Sequence, residues 1–337
     1  MAVKKEFFDK LEARSPKARE AALMAALPKH IAWAKKRAPG FSRLFASINP
    51  AKITSRKALA ALPLTRKSDL ASLQKSLPPL GGLNATPPAK LFVSPGPIND
   101  MEGTGANWWR TARGLYAGGF RKGDVILNSY AYHFTPAGSM LESGAIALGC
   151  TVVPAGTGQT EMQVAAIERM RISGYVGTPS FLKLIVEKAH ELKSDISSLK
   201  KAQVGAEYLP PVLRTALQEV GISVTQMYGS ADLGLIAYES LLPDGSVAPG
   251  MILEEGLLLE IVRRHRQVVK ARLVVSGEPG KDEMMLVCEV KDDAPGLVEA
   301  IVDSIRDVTK LRGEVDLVAP GSLPNDGRMI EDRRAPG

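Results

Sequence analysis

The sequence predicts a two-domain α/β protein, a large N-terminal domain with a mostly parallel sheet covered by helices followed by a small α+β C-terminal domain. Three observations predict it. Between about residues 106 and 255, helical stretches alternate with short, continuously apolar runs, and strands apolar on both sides imply a sheet covered on both faces. From about residue 261 the order changes to β-β-α-β. The chain has 337 residues, 45% hydrophobic and 23% charged, enough for two domains whose cores need no disulfide or metal. The expected domains are 1–260, with a helical start over 1–75, and 261–337.

Taken in order, LEARSPKAREAALMAALPKHIAWAKKRA places apolar residues three and four apart, as an amphipathic helix requires. Pro28 is expected to break it in two, because proline removes a backbone donor and its ring crowds the preceding turn. In SRKALAALPLTRKSDL, Ser55 and Thr65 are the expected N-caps and Pro63 the break. Residues 77–105 are rich in Pro and Gly and read as loop. ANWWRTARGLYAGGF, PAGSMLESGAIALG, TEMQVAAIERMR, PSFLKLIVEKAHELK and LPPVLRTALQEVG then read as helices. Between and after them lie the strands DVILNSY, CTVVPAG, GYVGT, KKAQVGA and ISVTQMYG. In the small domain, VVKARLVVSGEPGKDEMMLVCEV reads as a hairpin turning at Gly277-Glu278-Pro279-Gly280. APGLVEAIVDSIRDVTKL reads as a helix and EVDLVAP as a strand.

The net charge is +7, from 43 basic against 36 acidic residues. Nucleic acid is one reading of that balance and an anionic small substrate another. The basic residues are spread along the chain apart from short runs such as Lys35-Lys36-Arg37, which fits solvated surface and predicts no nucleic-acid partner. Two cysteines, Cys150 and Cys288, fit a reducing compartment and argue against a disulfide framework. No apolar run approaches the roughly 18–20 residues of a membrane span, and MAVKKEFFDKLEARSP has no apolar signal core. A soluble, cytoplasmic protein is expected.

Generic chemical motifs are absent. There is no phosphate loop of the form G-x-x-x-x-G-K-[ST], no G-x-G-x-x-G after a strand, no serine-hydrolase elbow, and no metal spacing among His30, His133, His190 and His265. Five polar, glycine-containing segments remain, each just after an expected strand: Asn128–Thr135, Gly156–Glu161, Gly177–Ser180, Gly205–Leu209 and Tyr228–Asp232. In an open parallel sheet the carboxyl ends of the strands collect ligands, since loops and helix N-termini converge there. Taken singly, each segment also reads as an ordinary turn.

GYVGTPSFLKLI, VGAEYLPPVLR and VTQMYGSADLGLIAYE resemble the core of phenylacetate–coenzyme A ligases, a branch of the acyl-adenylate-forming superfamily. Val153–Glu161 (VPAGTGQTE), HIAWAKKRAPGFSRLF with ALPLTRKSDL, and the C-terminal VVKARLVVS and RDVTKLRGEVDLVAPGSLP resemble the same branch, in the same order. The resemblance implies a large adenylate-forming domain with a C-terminal lid. It further implies an AMP-forming ligase that joins an aromatic or arylacetic acid to coenzyme A, with ATP, Mg2+ and coenzyme A as cofactors, and a homodimer. The alternatives are an adenylate-forming enzyme with another acyl acceptor and a non-catalytic nucleotide-binding relative.

Carried over residue by residue, the resemblance implies that Tyr228 and Gly229 form the Tyr-Gly motif whose ring stacks on adenine. Ser230 would donate to the α-phosphate, and Asp232 would be the magnesium-facing carboxylate where the family has Glu. Gly205, Ala206 and Glu207 would line the adenine and acyl pockets; the plainer reading of Glu207 is a carboxylate favoured by a helix N-terminus. Tyr132, His133, Phe134 and Thr135 would wall the acyl pocket, with Gly177, Thr178 and Pro179 as the facing edge. Arg328, after Gly327, stands where the family's Gly-Lys motif places a catalytic lysine, or aligns with a neighbouring arginine. Two further departures stand out. The phosphate loop reads Val93-Ser-Pro-Gly-Pro-Ile-Asn-Asp100, without the run of hydroxyls or a lysine. The family's Thr-Gly-Asp motif and hinge are missing where GMILEEGLLLE runs straight into IVRRHRQVVKAR.

Overall fold

A computed structural model describes residues 7–94, 97–255, 267–278, 281–291, 295–309, 314–323 and 330–332. The chain divides into two units, Met1–Leu257 and Leu258–Gly337.

In the first unit, Ser15 accepts from the Ala18 amide and opens helix α1, Pro16–Arg37. Pro28 lies inside this helix instead of ending it. A mid-helix proline costs about 3 kcal/mol. Here Leu27 and Ile31, on either side of it, pack into one cluster with Phe41, Leu44, Phe45 and Ile53, so both halves share a single support. After α2 (Pro39–Leu44) and a 3-10 turn, α3 (Arg56–Ala60) is capped by Ser55 as the pattern predicts. Helix α4, Lys67–Ser76, begins after Arg66 rather than Thr65 and has no side-chain cap.

Residues 77–105, expected as loop, hold an antiparallel hairpin of β1 (Lys90–Ser94) and β2 (Ile98–Glu102). Its inward positions include Ser94, Asp100 and Glu102. Polar residues at buried sites erase the apolar alternation by which a strand is read. They are satisfied internally: Ser94 donates to Asp100, while Glu102 accepts from Trp109 Nε1 at 2.9 Å and from Ser139 and Lys90.

The main sheet has seven strands in the order β4-β3-β5-β6-β7-β8-β9. Strands β3 (Val125–Asn128), β4 (Thr151–Pro154), β5 (Gly174–Gly177), β6 (Lys201–Val204) and β7 (Ser223–Ser230) are parallel. The alternating pattern does not foresee β8 (Gly234–Tyr238) and β9 (Ile252–Leu253), which extend the sheet antiparallel beyond β7. Helices α5 (Thr111–Ala117), α6 (Ala137–Leu148), α7 (Thr160–Met170), α8 (Pro179–Leu192) and α9 (Pro211–Glu219) cover it. Helix α5 is shorter than expected, because Asn107 and Arg110 turn the chain in left-handed conformations just before it.

Adjacent residues of one strand enter opposite cores. Leu127 and Tyr175 pack with Val164, Leu182, Ile185 and Leu217 of α7, α8 and α9. Ile126 and Val176 pack with Leu115, Met140 and Leu141 of α5 and α6. From β3 the chain crosses through α6 to β4 on one side, then returns through α7 to β5 on the other. The strand order therefore reverses between β3 and β5, and the crevice at their carboxyl ends is where such sheets bind ligands.

The second unit, described by itself, has a sheet in the order β12-β11-β10-β13. The expected hairpin forms from β10 (Val268–Glu278) and β11 (Lys281–Val290), but Gly277 and Glu278, expected in its turn, are strand residues paired with Asp282 and Lys281, and Pro279 and Gly280 lie outside the described residues. Helix α10 (Leu297–Thr309) buries Leu297 and Ile301 against Cys288 and Val290. Strand β12 (Glu314–Val318) runs parallel to β11, and β13 (Ile330–Asp332), not foreseen from sequence, runs parallel to β10. No helix of the described residues is long and apolar enough to cross a membrane.

Candidate functional site

The five polar segments follow β3 to β7 and therefore leave the sheet at one rim. At the end of β5, Gly177 leads into Thr178, whose hydroxyl accepts from Phe181 N at 3.3 Å and caps α8, with Pro179 in its first turn. Gly205 N donates to Gly177 O at 3.2 Å, which continues the β5–β6 ladder into the rim. Ala206 then adopts a left-handed conformation and Glu207 turns back, its Oε2 accepting from Ser180 N at 3.4 Å. Glu207 thus sits against a helix N-terminus, but that of α8, beyond the neighbouring strand. Gln226 of β7 donates to Glu207 O at 3.1 Å, which joins a third strand to the group.

The end of β7 carries Tyr228, a residue 41% exposed. A bulge separates Tyr228 from Gly229 in the pairing with β8. A Cβ at Gly229 would lie 2.9 Å from Gly234 O, so only glycine allows this approach. Ser230 Oγ accepts from Leu233 N at 3.2 Å, shaping a turn with Asp232 exposed on it. Asp232 Oδ2 receives Lys67 Nζ of α4 at 2.7 Å.

After β3, Asn128 Nδ2 donates to Tyr132 OH at 2.9 Å and to Gly138 O at 2.8 Å, drawing the Tyr132 ring inward. Burial, reinforced by Glu142, pushes the Tyr132 hydroxyl well above its ordinary range, so it stays protonated. Tyr132 and Thr135 line a hollow of about 360 Å³ together with Phe92, Glu142 and Pro154. His133 and Phe134 face solvent, Phe134 in a left-handed conformation with its carbonyl accepting from Val93 N of β1 at 2.8 Å. Buried Tyr130 lies against Gly205, where an added Cβ would sit 3.2 Å from its hydroxyl. The segment Gly156–Glu161 is fastened by buried Gln163, whose amide donates to Gly156 O and Gly158 O at 2.9 and 2.7 Å.

The structure brings Gly177–Pro179, Gly205–Glu207 and the end of β7 together through direct bonds. Two further residues, Lys67 and Asp100, lie in segments that resemble the family but carry no assigned role there. Lys67 stands 165 positions from Asp232 in sequence. Asp100, buried in the hairpin, has its carboxyl pushed upward by burial; the Ser94 hydroxyl opposes the shift, Asp232 adds to it and Lys67 draws it back. A lysine paired with an aspartate so distant in the chain is a signal that only proximity reveals. Among the described residues no group of three or more His, Cys, Asp or Glu stands ready for a metal. Arg328 lies outside the described residues, as do Pro95, Gly96 and residues 256–266.

Comparison with known proteins identifies the family. Residues 103–280 match the family described as AMP-binding enzyme. Phenylacetate-coenzyme A ligase of Thermus thermophilus is 31% identical over 222 residues, 61% of this chain and 49% of that protein. The Pseudomonas putida phenylacetate-coenzyme A ligase is 31% identical over 237 residues, covering 64% and 53%. The chain spans about half the length of the curated relatives it matches. The open conformation of 2-hydroxyisobutyryl-CoA ligase, in complex with 2-HIB-AMP and CoA, superposes with a TM-score of 0.62. That match is 18% identical and covers 94% of this chain and 92% of that one. The same ligase in its thioesterification state gives a TM-score of 0.58 at 19% identity over 95% and 91% of the two chains; at these identities the likeness concerns the fold. With more than half of its length matching the family and the glycine-bearing turns gathered at one sheet rim, this chain belongs to the AMP-binding enzymes.

Proposed function

We propose that the chain activates a carboxylic acid with ATP and passes the acyl group to coenzyme A, with an aromatic or arylacetic acid as substrate in the cytoplasm. The observation that carries this reading is the half-exposed Tyr228 at the end of β7, two residues beyond the Gln226 that ties this strand to Glu207. An exposed aromatic ring at a strand end is a stacking platform for a base. In the first step a carboxylate oxygen attacks the α-phosphorus, the bond from that phosphorus to the bridging oxygen breaks, and pyrophosphate leaves with the electron pair. In the second, the coenzyme A sulfur attacks the acyl carbon, the bond to the phosphate oxygen breaks, AMP leaves, and the thiol proton passes to solvent.

A carboxylic acid is already ionised at neutral pH, so the first step needs positioning and charge stabilisation rather than a base. Exposed His133 therefore has no required proton to take. In this reading Ser230 donates to the α-phosphate, while Tyr132 and Thr135 shape the acyl side with Gly177, Thr178 and Pro179 opposite. Magnesium on a nucleotide uses one or two protein carboxylates and fills its remaining positions with phosphate oxygens and water. Asp232 fits as that carboxylate once Lys67 releases it, and the metal would neutralise phosphate charge there. Arg328 is assigned to adenylation by resemblance.

The lysine-free loop Val93–Asp100 and the missing Thr-Gly-Asp segment favour a second reading, a relative that binds nucleotide without turnover. Pyrophosphate release measured on a panel of aromatic acids, with and without coenzyme A, separates the two. Thioester formation and AMP release that require coenzyme A support the ligase. AMP binding with no pyrophosphate released from any acid supports the second reading and refutes the first.

A further inference from the structure

We propose that Lys67, at the start of α4, is the cation that receives the β- and γ-phosphates of the incoming nucleotide, in place of the lysine that the loop Val93–Asp100 lacks. The inference rests on the nucleotide reading of the rim and adds a residue to it. Lys67 Nζ lies 2.7 Å from Asp232 Oδ2, with the two side chains 29% and 33% exposed. The pair is open to solvent, and an exposed ion pair holds its partners weakly. A polyphosphate offers the lysine more negative charge than one carboxylate does.

The surroundings supply the exchange partner. Asp232 holds Lys67 directly, Lys67 draws the carboxyl of buried Asp100 back down, and Asp100 is already engaged by the Ser94 hydroxyl. A magnesium ion arriving with the nucleotide would take Asp232 and release the lysine toward the phosphates. Lys90, in the adjoining hairpin, is committed elsewhere: its Nζ bonds Ser139 Oγ at 2.7 Å and Glu102 Oε1 at 3.1 Å. Val93–Asp100 itself contains neither lysine nor arginine.

The test compares equilibrium affinities for ATP and for AMP in the full chain, with and without magnesium, for the wild type, Lys67→Met and Lys67→Arg. AMP lacks the phosphates that Lys67 is assigned to hold. Lys67→Met is expected to weaken ATP about tenfold or more, the scale of one charge-assisted contact, while AMP affinity stays within about twofold. Lys67→Arg keeps the charge and should recover most of the loss. Raising salt should erode the ATP-over-AMP preference of the wild type more than that of Lys67→Met. An ATP-to-AMP affinity ratio unchanged in Lys67→Met would overturn the assignment and make the pair with Asp232 a mere tether. Wild-type protein that binds neither nucleotide would instead sink the nucleotide reading, and this assignment with it.

Discussion

Arg113 offers the sharpest test of what holds the first unit together. Its guanidinium is 7% exposed, meets Asp9 at 2.6 Å, and lies 3.5 Å from Glu12 and 3.4 Å from Glu254. Tyr238 of β8 donates to Glu12 at 2.7 Å, so one arginine of α5 binds the N-terminal segment and the residue after β9, and through Glu12 is linked to a sheet strand. Glu254 is only 4% exposed and retains Arg110 at 3.4 Å when Arg113 is removed. Burial already pushes the Glu254 carboxyl upward, against the pull of Arg110 and Arg113. Removing one partner of a buried pair costs about 3–5 kcal/mol. With Arg110 remaining and Asp9 able to hydrate, we expect about 3 kcal/mol for Arg113→Met. At about 2–4 °C per kcal/mol for a unit of this size, the first unit should melt roughly 6–12 °C lower. Glu254→Gln on top of Arg113→Met should return about 1–2 kcal/mol, since the most deeply buried carboxylate around Arg113 is then neutral and Glu12 keeps its bond from Tyr238. The deficit should also shrink as pH falls through the raised pKa of Glu254, because a protonated carboxyl needs no cation. Thermal melts followed by circular dichroism, with urea denaturation alongside, read all three. Melting within about 2 °C of wild type at neutral pH would refute the reasoning, and so would failure of Glu254→Gln to restore anything.

Further outcomes follow from the rim and the sheet. Tyr228→Ala should weaken ATP and AMP alike by about tenfold, the scale of lost base stacking, with little change in melting; unchanged affinity in a binding titration would remove the ring from the site. Gly234 has φ 71° and a Cβ there would lie 2.5 Å from Trp109 O, so Gly234→Ala should destabilise by at least the about 1–3 kcal/mol of a forced left-handed residue, read by urea denaturation. Burial would raise Asp124, but the Arg121 amide, Lys201 and Ser173 hold its carboxyl below the ordinary 3.8. Its stabilisation is therefore full above that value and is lost as pH falls through the lowered one. Asp124→Asn should flatten this acid branch of the melting profile, and parallel profiles for both proteins would count against it. Asp232→Asn should reduce pyrophosphate release most at limiting magnesium; a magnesium dependence identical to wild type would end the metal assignment.

Much of the architecture was legible because it is written in local patterns. Continuous apolar runs such as VILN and GYVG mark strands buried on both faces, and α7, α8 and α9 read as helices from their spacing. Departures arise where a distant contact overrides the local signal. Pro28 should end a helix, yet Leu27 and Ile31 share one apolar support that keeps the two halves in line. Residues 90–102 should be loop, yet Asp100 and Glu102 are strand positions because Ser94, Ser139 and Trp109 reach them. Thr65 is a good cap by type, but α4 starts one residue later.

The candidate site divides the same way. Sequence by itself determined that polar, glycine-containing turns follow successive parallel strands, because strand direction and helix spacing are carried by neighbours in the chain. Only the tertiary structure decided which turns touch, that Glu207 faces α8, that Lys67 reaches Asp232, and that Arg113 gathers Asp9, Glu12 and Glu254. Such pairings depend on charge, burial and distance between residues far apart in the chain, and those quantities exist only after the chain has closed.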